Sequence, residues 1–176
     1  VNAGNSLSMR SAKLAFDISL INPTFIGNKK NILNEAKLIN WDISNFKIIN
    51  KIKDNESADA ATLLAKKNKI KMIIKGDIHT DILMKSYLQK DLKLIGKRRL
   101  SHIWHLTINK NDKPLFITDG ALNVNPRIDI KMHIIKNAIE FLKKLKIKKP
   151  NIAILSGTED PIKSMPSSIE AKELTL

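Results

Sequence analysis

Ile70-Lys-Met-Ile-Ile-Lys-Gly-Asp-Ile-His-Thr80 decides the fold. Its first six residues are β-prone, Gly76 closes the run, and helical spacing begins at Asp81 and continues to about Gln89. A strand, a tight turn and a helix in that order form the repeating unit of a parallel sheet covered on both faces. The same rhythm runs back toward the start of the chain. Glu56 to Lys67 reads as a helix, with its alanines and Leu63-Leu64 on one stripe. Phe46-Lys-Ile-Ile-Asn50 reads as a strand, Asn28 to Leu38 as a helix, and Pro23-Thr-Phe-Ile-Gly27 as a buried strand ending in a turn. Ser6 to Ser19 has helical spacing, with Asn5 or Ser6 available as its cap.

Beyond Lys97 the rhythm changes. Leu100 to Ile108 is strongly β-prone, Asn109 to Lys113 is a polar break, and Pro114-Leu-Phe-Ile-Thr118 is extended again. Two neighbouring strands without an intervening helix predict a hairpin beside the parallel units. Strict alternation in the first of them places His102, Trp104, Leu106 and Ile108 on one side, against a core. Asp119 to Pro126 is a polar loop. A long amphipathic helix is predicted from Ile128 to Lys146, with Ile128, Met132, Ile135, Ala138, Ile139, Leu142 and Leu145 inward. Pro150-Asn-Ile-Ala-Ile-Leu155 reads as another buried strand, and Ser167-Ser-Ile-Glu170 has the form of a capping box opening a last helix. The change of pattern near Lys97 to Leu100 predicts a first α/β domain over 1–98 and the beginning of a second over 99–176.

Composition sets outer limits. The chain has 176 residues, 43% of them hydrophobic, enough for one ordinary core or for one domain and part of another. It has no cysteine, which removes disulfides, thiolate metal sites and cysteine nucleophiles. No stretch reaches the roughly 18 apolar residues that a bilayer span needs. The formal net charge is +14, but 27 of the 31 basic residues are lysine and only four are arginine. Together with 28 isoleucines and 17 asparagines, that lysine bias reads as a codon preference and a solvated face. Sites for nucleic acids favour guanidinium groups and aromatic platforms, and aromatics make up 5% of this chain.

Strand ends are where parallel α/β sheets place chemistry, and three of them carry unusual polar sets. Lys75-Gly-Asp-Ile-His-Thr80 joins a glycine that permits close backbone approach to a helix N-terminus suited to anions, with Lys75 or Lys85 adding charge. Thr118-Asp-Gly120 with Asn123 and Asn125 offers hydrogen bonds to a polar ligand, or an Asx-rich turn satisfying itself. Ser156-Gly-Thr-Glu159 offers small donors after a strand. Each has an ordinary structural reading as a turn or cap. Ser101 and His102 are adjacent in a strand and point to opposite faces, which removes a direct relay between them. His79, beside the anion-suited loop, is the histidine of most interest. The four histidines are too scattered for a metal cluster.

Taken in order, Lys75-Gly-Asp-Ile-His-Thr80, Leu100-Ser-His-Ile103, Phe116 to Pro126, Asn137-Ala138, and Pro150 to Ser156 through Met165-Pro-Ser-Ser168 resemble the phosphate acetyl/butyryltransferase family. The likeness is greatest to its butyryltransferase branch and covers nearly the whole chain. The resemblance implies reversible transfer of a short acyl group, acetyl or butyryl, between coenzyme A and inorganic phosphate. Coenzyme A enters as the substrate acyl-CoA together with phosphate, acyl phosphate and free coenzyme A are the products, and no metal enters the transfer. It also implies a cytoplasmic homodimer or larger assembly with no membrane partner. The implied fold is a three-layer α/β/α architecture of the isocitrate/isopropylmalate dehydrogenase-like type, with its active site in the cleft between two domains. By the same resemblance His79, Ser101 and Asp119 are candidate catalytic residues. Lys75, Gly76, Thr80, Lys85, Thr118, Asn123 and Ser156 are candidates for substrate binding. Lys75 and Lys85 then hold anions, His79, Thr80 and Ser101 donate or accept hydrogen bonds, and Asp119 and Asn123 position the site.

The sequence also departs from the family. Complete members are nearly twice as long, and their C-terminal part carries serine, arginine and aspartate residues central to acyl transfer. Val1-Asn-Ala-Gly4 resembles the turn that follows a first strand, and Met84 or Lys85 stands where acetyltransferases place an arginine. The expectation is a truncated member with an incomplete fold, paired or fused with a complementary segment. The alternatives are a non-catalytic remnant that retains coenzyme A or phosphate binding, or an assembly role, and a basic nucleic-acid-binding protein.

Overall fold

The structure, a computed structural model, describes residues 1–109 and 111–175. The chain forms two compact units, Val1–Ile95 and Gly96–Leu176. Among the described residues, no helix is long and apolar enough to cross a membrane.

The first unit contains α1 (Ser6–Asp17), β1 (Phe25–Gly27), α2 (Lys29–Leu38), β2 (Ile48–Asn50), α3 (Asp54–Lys66) and α4 (Thr80–Tyr87), followed by a 3₁₀ turn at Lys90–Leu92. Asparagines start two of the helices. Asn5 Oδ1 accepts from Ser8 N at 2.8 Å, and Asn28 Oδ1 accepts from Lys30 N at 3.0 Å and Asn31 N at 3.3 Å. These bonds satisfy amide groups that a helix start leaves unpaired. β1 and β2 pair in parallel, with Phe25 beside Ile48 and Gly27 beside Asn50. All three residues of β1 are buried. The core gathers Met9, Phe25, Ile32, Ala36, Trp41 and Ile43. Phe25 and Trp41 meet edge to face at 5.6 Å, and Phe46 lies 5.6 Å from Trp41.

The stretch that decides the fold is extended but carries no assigned strand. It pairs with the start of the chain instead: Val1 N donates to Ile74 O at 2.8 Å. Gly76 N donates to Val1 O at 2.8 Å, and Asp77 N to Asn2 O at 2.9 Å. One residue bonding to two partners that flank its opposite number is the parallel pattern. Ala3 N in turn donates to Ile26 O at 3.3 Å, so Val1–Ala3 runs between β1 and Ile74–Asp77. Val1-Asn-Ala-Gly4, which by sequence resembles a turn, bends at Asn2, whose φ is +53°, and its backbone still bonds to a neighbour on each side. The strand predicted over 70–76 falls short because Lys71, Met72, Ile74 and Lys75 stay exposed and the pairing spans only its last residues.

The second unit contains β3 (Trp104–Leu106), β4 (Leu115–Ile117), α5 (Ile128–Lys144) and α6 (Pro166–Thr175). β3 and β4 pair antiparallel, with His105 opposite Phe116. The expected hairpin is present, and the Lys110 part of the expected turn lies outside the described residues. The side predicted to face a core does not: Trp104 is 55% exposed and Ile108 is 91% exposed. Phe116 instead supports the unit, stacking on His105 at 4.8 Å and meeting Phe141 of α5 at 6.3 Å. On α5, Ile134 and Leu142 are the buried residues, so the inward stripe is narrower than predicted. The predicted buried strand over 150–155 is neither assigned nor buried, with Leu155 85% exposed, because no described ladder covers it. α6 begins at Pro166, one residue before the predicted start, as suits a residue without an N–H. The predicted capping box is replaced by two other contacts. Ser167 Oγ meets Ser156 Oγ at 2.8 Å, and Glu170 pairs with Lys131 of α5.

Candidate functional site

In the first unit, the loop before α4 is held by close backbone approach. A Cβ on Gly76 would lie 2.5 Å from Asn2 O and 2.6 Å from Val1 O, so a side chain there would force the two segments apart. Asn2 fastens the same loop from its other end. Its Nδ2 donates to Asp54 Oδ1 at 2.6 Å and to Asp77 O at 3.0 Å. Ile78 is buried and anchors the turn into α4. His79 follows at the N-cap with an extended backbone, and its side chain makes no cap bond. His79 and Thr80 are both exposed, as is Lys75, whose Nζ makes a long 3.4 Å contact with Gly76 O. Lys85 stands in the last turn of α4, about 9 Å along the axis from His79 at 1.5 Å per residue. Lys75, Gly76, His79 and Thr80 therefore share one rigid turn, while Lys85 sits at the far end of the helix.

The second unit brings three predicted residues, Thr118, Asp119 and Asn123, into one hydrogen-bonded cluster. Asp119 is its hub. Oδ1 accepts from Ala121 N and Leu122 N, each at 2.9 Å. Oδ2 accepts from His102 N at 3.1 Å and from Asn123 Nδ2 at 2.6 Å. Asn123 Nδ2 also donates to Leu100 O at 2.8 Å, and Thr118 Oγ1 donates to His102 O at 2.5 Å. The loop after β4 is thus tied to residues 100–102, the segment entering β3. Partial burial pushes the Asp119 carboxyl upward, but the N–H groups of Leu122 and Ala121, the Asn123 amide and the His102 N–H outweigh it. They hold the carboxyl below its ordinary value. A carboxylate held low by four donors is a firm anchor and a weak base near neutrality.

Ser101 stands in the chain between Leu100 and His102, which this cluster binds, and takes its own side-chain bond from a residue absent from the predicted site. Asn137 Nδ2, on α5, donates to Ser101 Oγ at 3.0 Å and to Arg99 O at 2.8 Å. The sequence carried two signals for it: Asn137-Ala138 is one of the stretches that carry the family resemblance, and asparagine is a poor helix former set inside a helical run. His102 turns its ring edge to Trp104 at 4.9 Å, and its Nδ1 is buried without a partner among the described residues. Ser156 lies apart from this cluster, its Oγ meeting Ser167 Oγ at 2.8 Å and Met165 Sδ at 3.3 Å. Among the described residues, no three His, Asp or Glu side chains gather so as to hold a metal ion.

Parallel and antiparallel strand pairs with helices between them define an α/β protein, and its polar clusters lie on the loops that leave extended segments. Residues 52–175 match the family model described as phosphate acetyl/butaryl transferase, and the chain belongs to that family. It is 34% identical over 169 residues to a phosphate acetyltransferase of Rickettsia felis, covering 96% of this chain and 48% of that relative. To a phosphate butyryltransferase of Clostridium acetobutylicum it is 29% identical over 150 residues, covering 85% of this chain and 50% of the relative. The crystal structure of a branched-chain phosphotransacylase from Enterococcus faecalis matches with a TM-score of 0.83 at 28% identity. That match covers 99% of this chain and 60% of the other. The chain thus spans about half the length of the curated relatives it matches.

Proposed function

We propose that this chain carries the phosphate- and coenzyme A-handling part of a phosphate acyltransferase. The reaction moves a short acyl group, acetyl or butyryl, between coenzyme A and inorganic phosphate. The family match over residues 52–175 is the observation that carries the reading, because it spans both the His79 loop and the Asp119 cluster. The fold proposed with it is the three-layer α/β/α type of the isocitrate/isopropylmalate dehydrogenases, divided near residues 98 and 99.

The chemistry asks for three things that these residues supply. Phosphate and pyrophosphate groups need positive charge and N–H donors, offered by Lys75, Lys85 and the uncapped first turn of α4. His79 and Thr80 stand at that turn as hydrogen-bonding partners. The reacting oxygen and carbonyl need an oriented donor, the role proposed for Ser101. Thr118, Asp119 and Asn123 fix the backbone around Ser101 and act as positioning residues. Gly76 acts by allowing the chain to pass close, and Ser156 orders the turn before α6.

A second reading is binding without turnover, the chain acting beside a complementary polypeptide, in cis or in trans, or as one member of a homodimer. The Asp119 carboxylate, held low by four donors and so a weak base, favours it. Two measurements separate the readings. Calorimetry with coenzyme A at moderate salt tests binding, and Lys75→Ala and His79→Ala are expected to weaken it about three- to tenfold, the range for losing one charge-assisted contact. Formation of acyl phosphate from acyl-CoA and phosphate tests turnover. Saturable binding without acyl phosphate selects the second reading, and absence of both overturns the proposal. Affinity for nucleic acid beyond diffuse charge, with a steep salt dependence, would instead select a basic nucleic-acid binder.

A further inference from the structure

We infer that Asn137 is a positioning residue that frees the Ser101 hydroxyl proton for a ligand oxygen, an inference that rests on the acyltransferase reading above. The argument is one of hydrogen-bond accounting. A carboxamide NH₂ has two hydrogens, and both are committed here, one to Arg99 O at 2.8 Å and one to Ser101 Oγ at 3.0 Å. The bond to Arg99 O fixes which way the amide faces, because a backbone carbonyl only accepts. Ser101 Oγ must therefore act as the acceptor toward Asn137, and its own hydrogen turns elsewhere. Among the described residues, no acceptor receives that hydrogen. Ser101 is half-buried, so the proton faces a partly open position at the edge of the Asp119 cluster.

The arrangement restrains the donor at both ends. Asn137 sits in the middle of the 17-residue helix α5, and the backbone on either side of Ser101 is pinned. Leu100 O accepts from Asn123 at 2.8 Å, and His102 N donates to Asp119 at 3.1 Å. A hydroxyl held in this way is a preorganised donor, the kind that meets oxygen charge without reorganising. The ligand chemistry is an acceptor oxygen, borne either by a phosphoryl group or by an acyl thioester carbonyl.

The test uses the full chain and two probes. Inorganic phosphate is titrated in one arm, and acetyl-CoA against free coenzyme A in the other, with the Ser101 backbone amide and the Asn137 side-chain amide followed by ¹⁵N NMR. A saturable shift with phosphate assigns the proton to a phosphoryl oxygen. A shift with acetyl-CoA beyond that with coenzyme A assigns it to the carbonyl. The affinity of the responding probe is then measured in Ser101→Ala, Asn137→Leu and the double variant, with Asn137→Ser as the replacement where Asn137→Leu loses its folded spectrum. Each single change is expected to weaken binding about three- to tenfold, the range for one hydrogen bond to a charged or polarised oxygen. The double variant is expected to bind no more weakly than the single ones, because Asn137 acts through Ser101. Multiplying losses, or an unchanged affinity in Asn137→Leu, would overturn the inference. So would silence at Ser101 with both probes. If Ser101 is silent while coenzyme A binds, the inference falls and the acyltransferase reading stands; a phosphate response without coenzyme A binding has the reverse meaning.

Discussion

Replacing Asp119 by asparagine is a change of one atom type, and the structure makes it an expensive one. Each carboxylate oxygen accepts two hydrogen bonds, Oδ1 from Ala121 N and Leu122 N, Oδ2 from His102 N and Asn123 Nδ2. An amide can satisfy one pair with its oxygen, but its NH₂ must then face the other pair of donors, whichever way it is turned. The loop side costs less to disturb, because Ala121 and Leu122 are exposed and water can replace the lost acceptor. The favoured orientation therefore keeps oxygen toward His102 and Asn123 and leaves the two loop N–H groups against the amide. Losing two charge-assisted bonds on a partly solvated side, and weakening two on the inner side, comes to about 2 kcal/mol. Asp119→Ala loses all four acceptor bonds and is expected to cost about 3 kcal/mol. With a urea slope of about 2 kcal/mol/M, the Asp119→Asn midpoint falls by about 1 M. Urea titration followed by the ¹⁵N resonances of the second unit, including the Trp104 indole, measures it. An Asp119→Asn midpoint within about 0.25 M of the parent, or one above the parent, would refute the reasoning, since the four-donor hub would then contribute little.

The same hub sets a pH limit. Its folded carboxyl lies below the ordinary value of about 3.9, so its contribution to stability is fully present above that value. It is lost only as the pH falls through the lowered folded value. The Ala121 and Leu122 amide resonances should therefore hold their positions down through the usual carboxylate range and move only below it; movement between pH 4 and 6 would contradict the geometry. In the first unit, Gly76→Ala places a methyl 2.5 Å from Asn2 O, and overpacking against backbone is expected to cost about 2 kcal/mol or more by thermal melting. Gly96→Ala is the control: nothing lies within 4 Å of its added Cβ, and it should change stability by less than about 0.5 kcal/mol. The pair between Lys131 and Glu170 joins α5 to α6 with both side chains about three-quarters buried. Glu170→Gln should cost about 0.5–1 kcal/mol by thermal melting, and because the pair is partly buried most of that cost should persist in 1 M salt. A cost that disappears in 1 M salt would mean that the pair is open to solvent.

Helices were the most legible part of the sequence because their signals are local. Asn28 before an apolar-periodic run is sufficient to start α2, and the 3.6-residue spacing from Ile128 is sufficient to define α5. Strands were less legible because a strand needs a partner, and partners are set by the rest of the chain. Ile70 to Gly76 and Pro150 to Leu155 have the right residue types, yet the first pairs only at its end and the second with nothing described. The alternation from His102 to Ile108 gave the faces of β3 correctly as a period and wrongly as a direction, since periodicity does not say which face is covered. The same limit applied to the site. Thr118, Asp119 and Asn123 stood close in sequence and could be read as a group. Asn137 reaches Ser101 across 36 positions, and no local pattern announces a side-chain bond of that span.

The electrostatics of the cluster limit what the Asp119 carboxyl can do with a proton. Asp119 is neutralised by backbone and amide N–H groups and makes no ion pair among the described residues. Its negative charge is met by N–H dipoles and engages no lysine among the described residues. Protonating Asp119 would place a hydroxyl hydrogen where the carboxylate now accepts, opposite another N–H donor, so the bonds that fix the loop oppose its use as a base. His102 is committed as well, with its ring against Trp104 and its Nδ1 buried. Of the candidate acid–base groups, His79 is the one whose side chain is exposed and free of a cap bond. Within the second unit the Asp119 carboxylate and the His102 ring are thus tied to structure, and within the first unit the His79 side chain stays exposed at the start of α4.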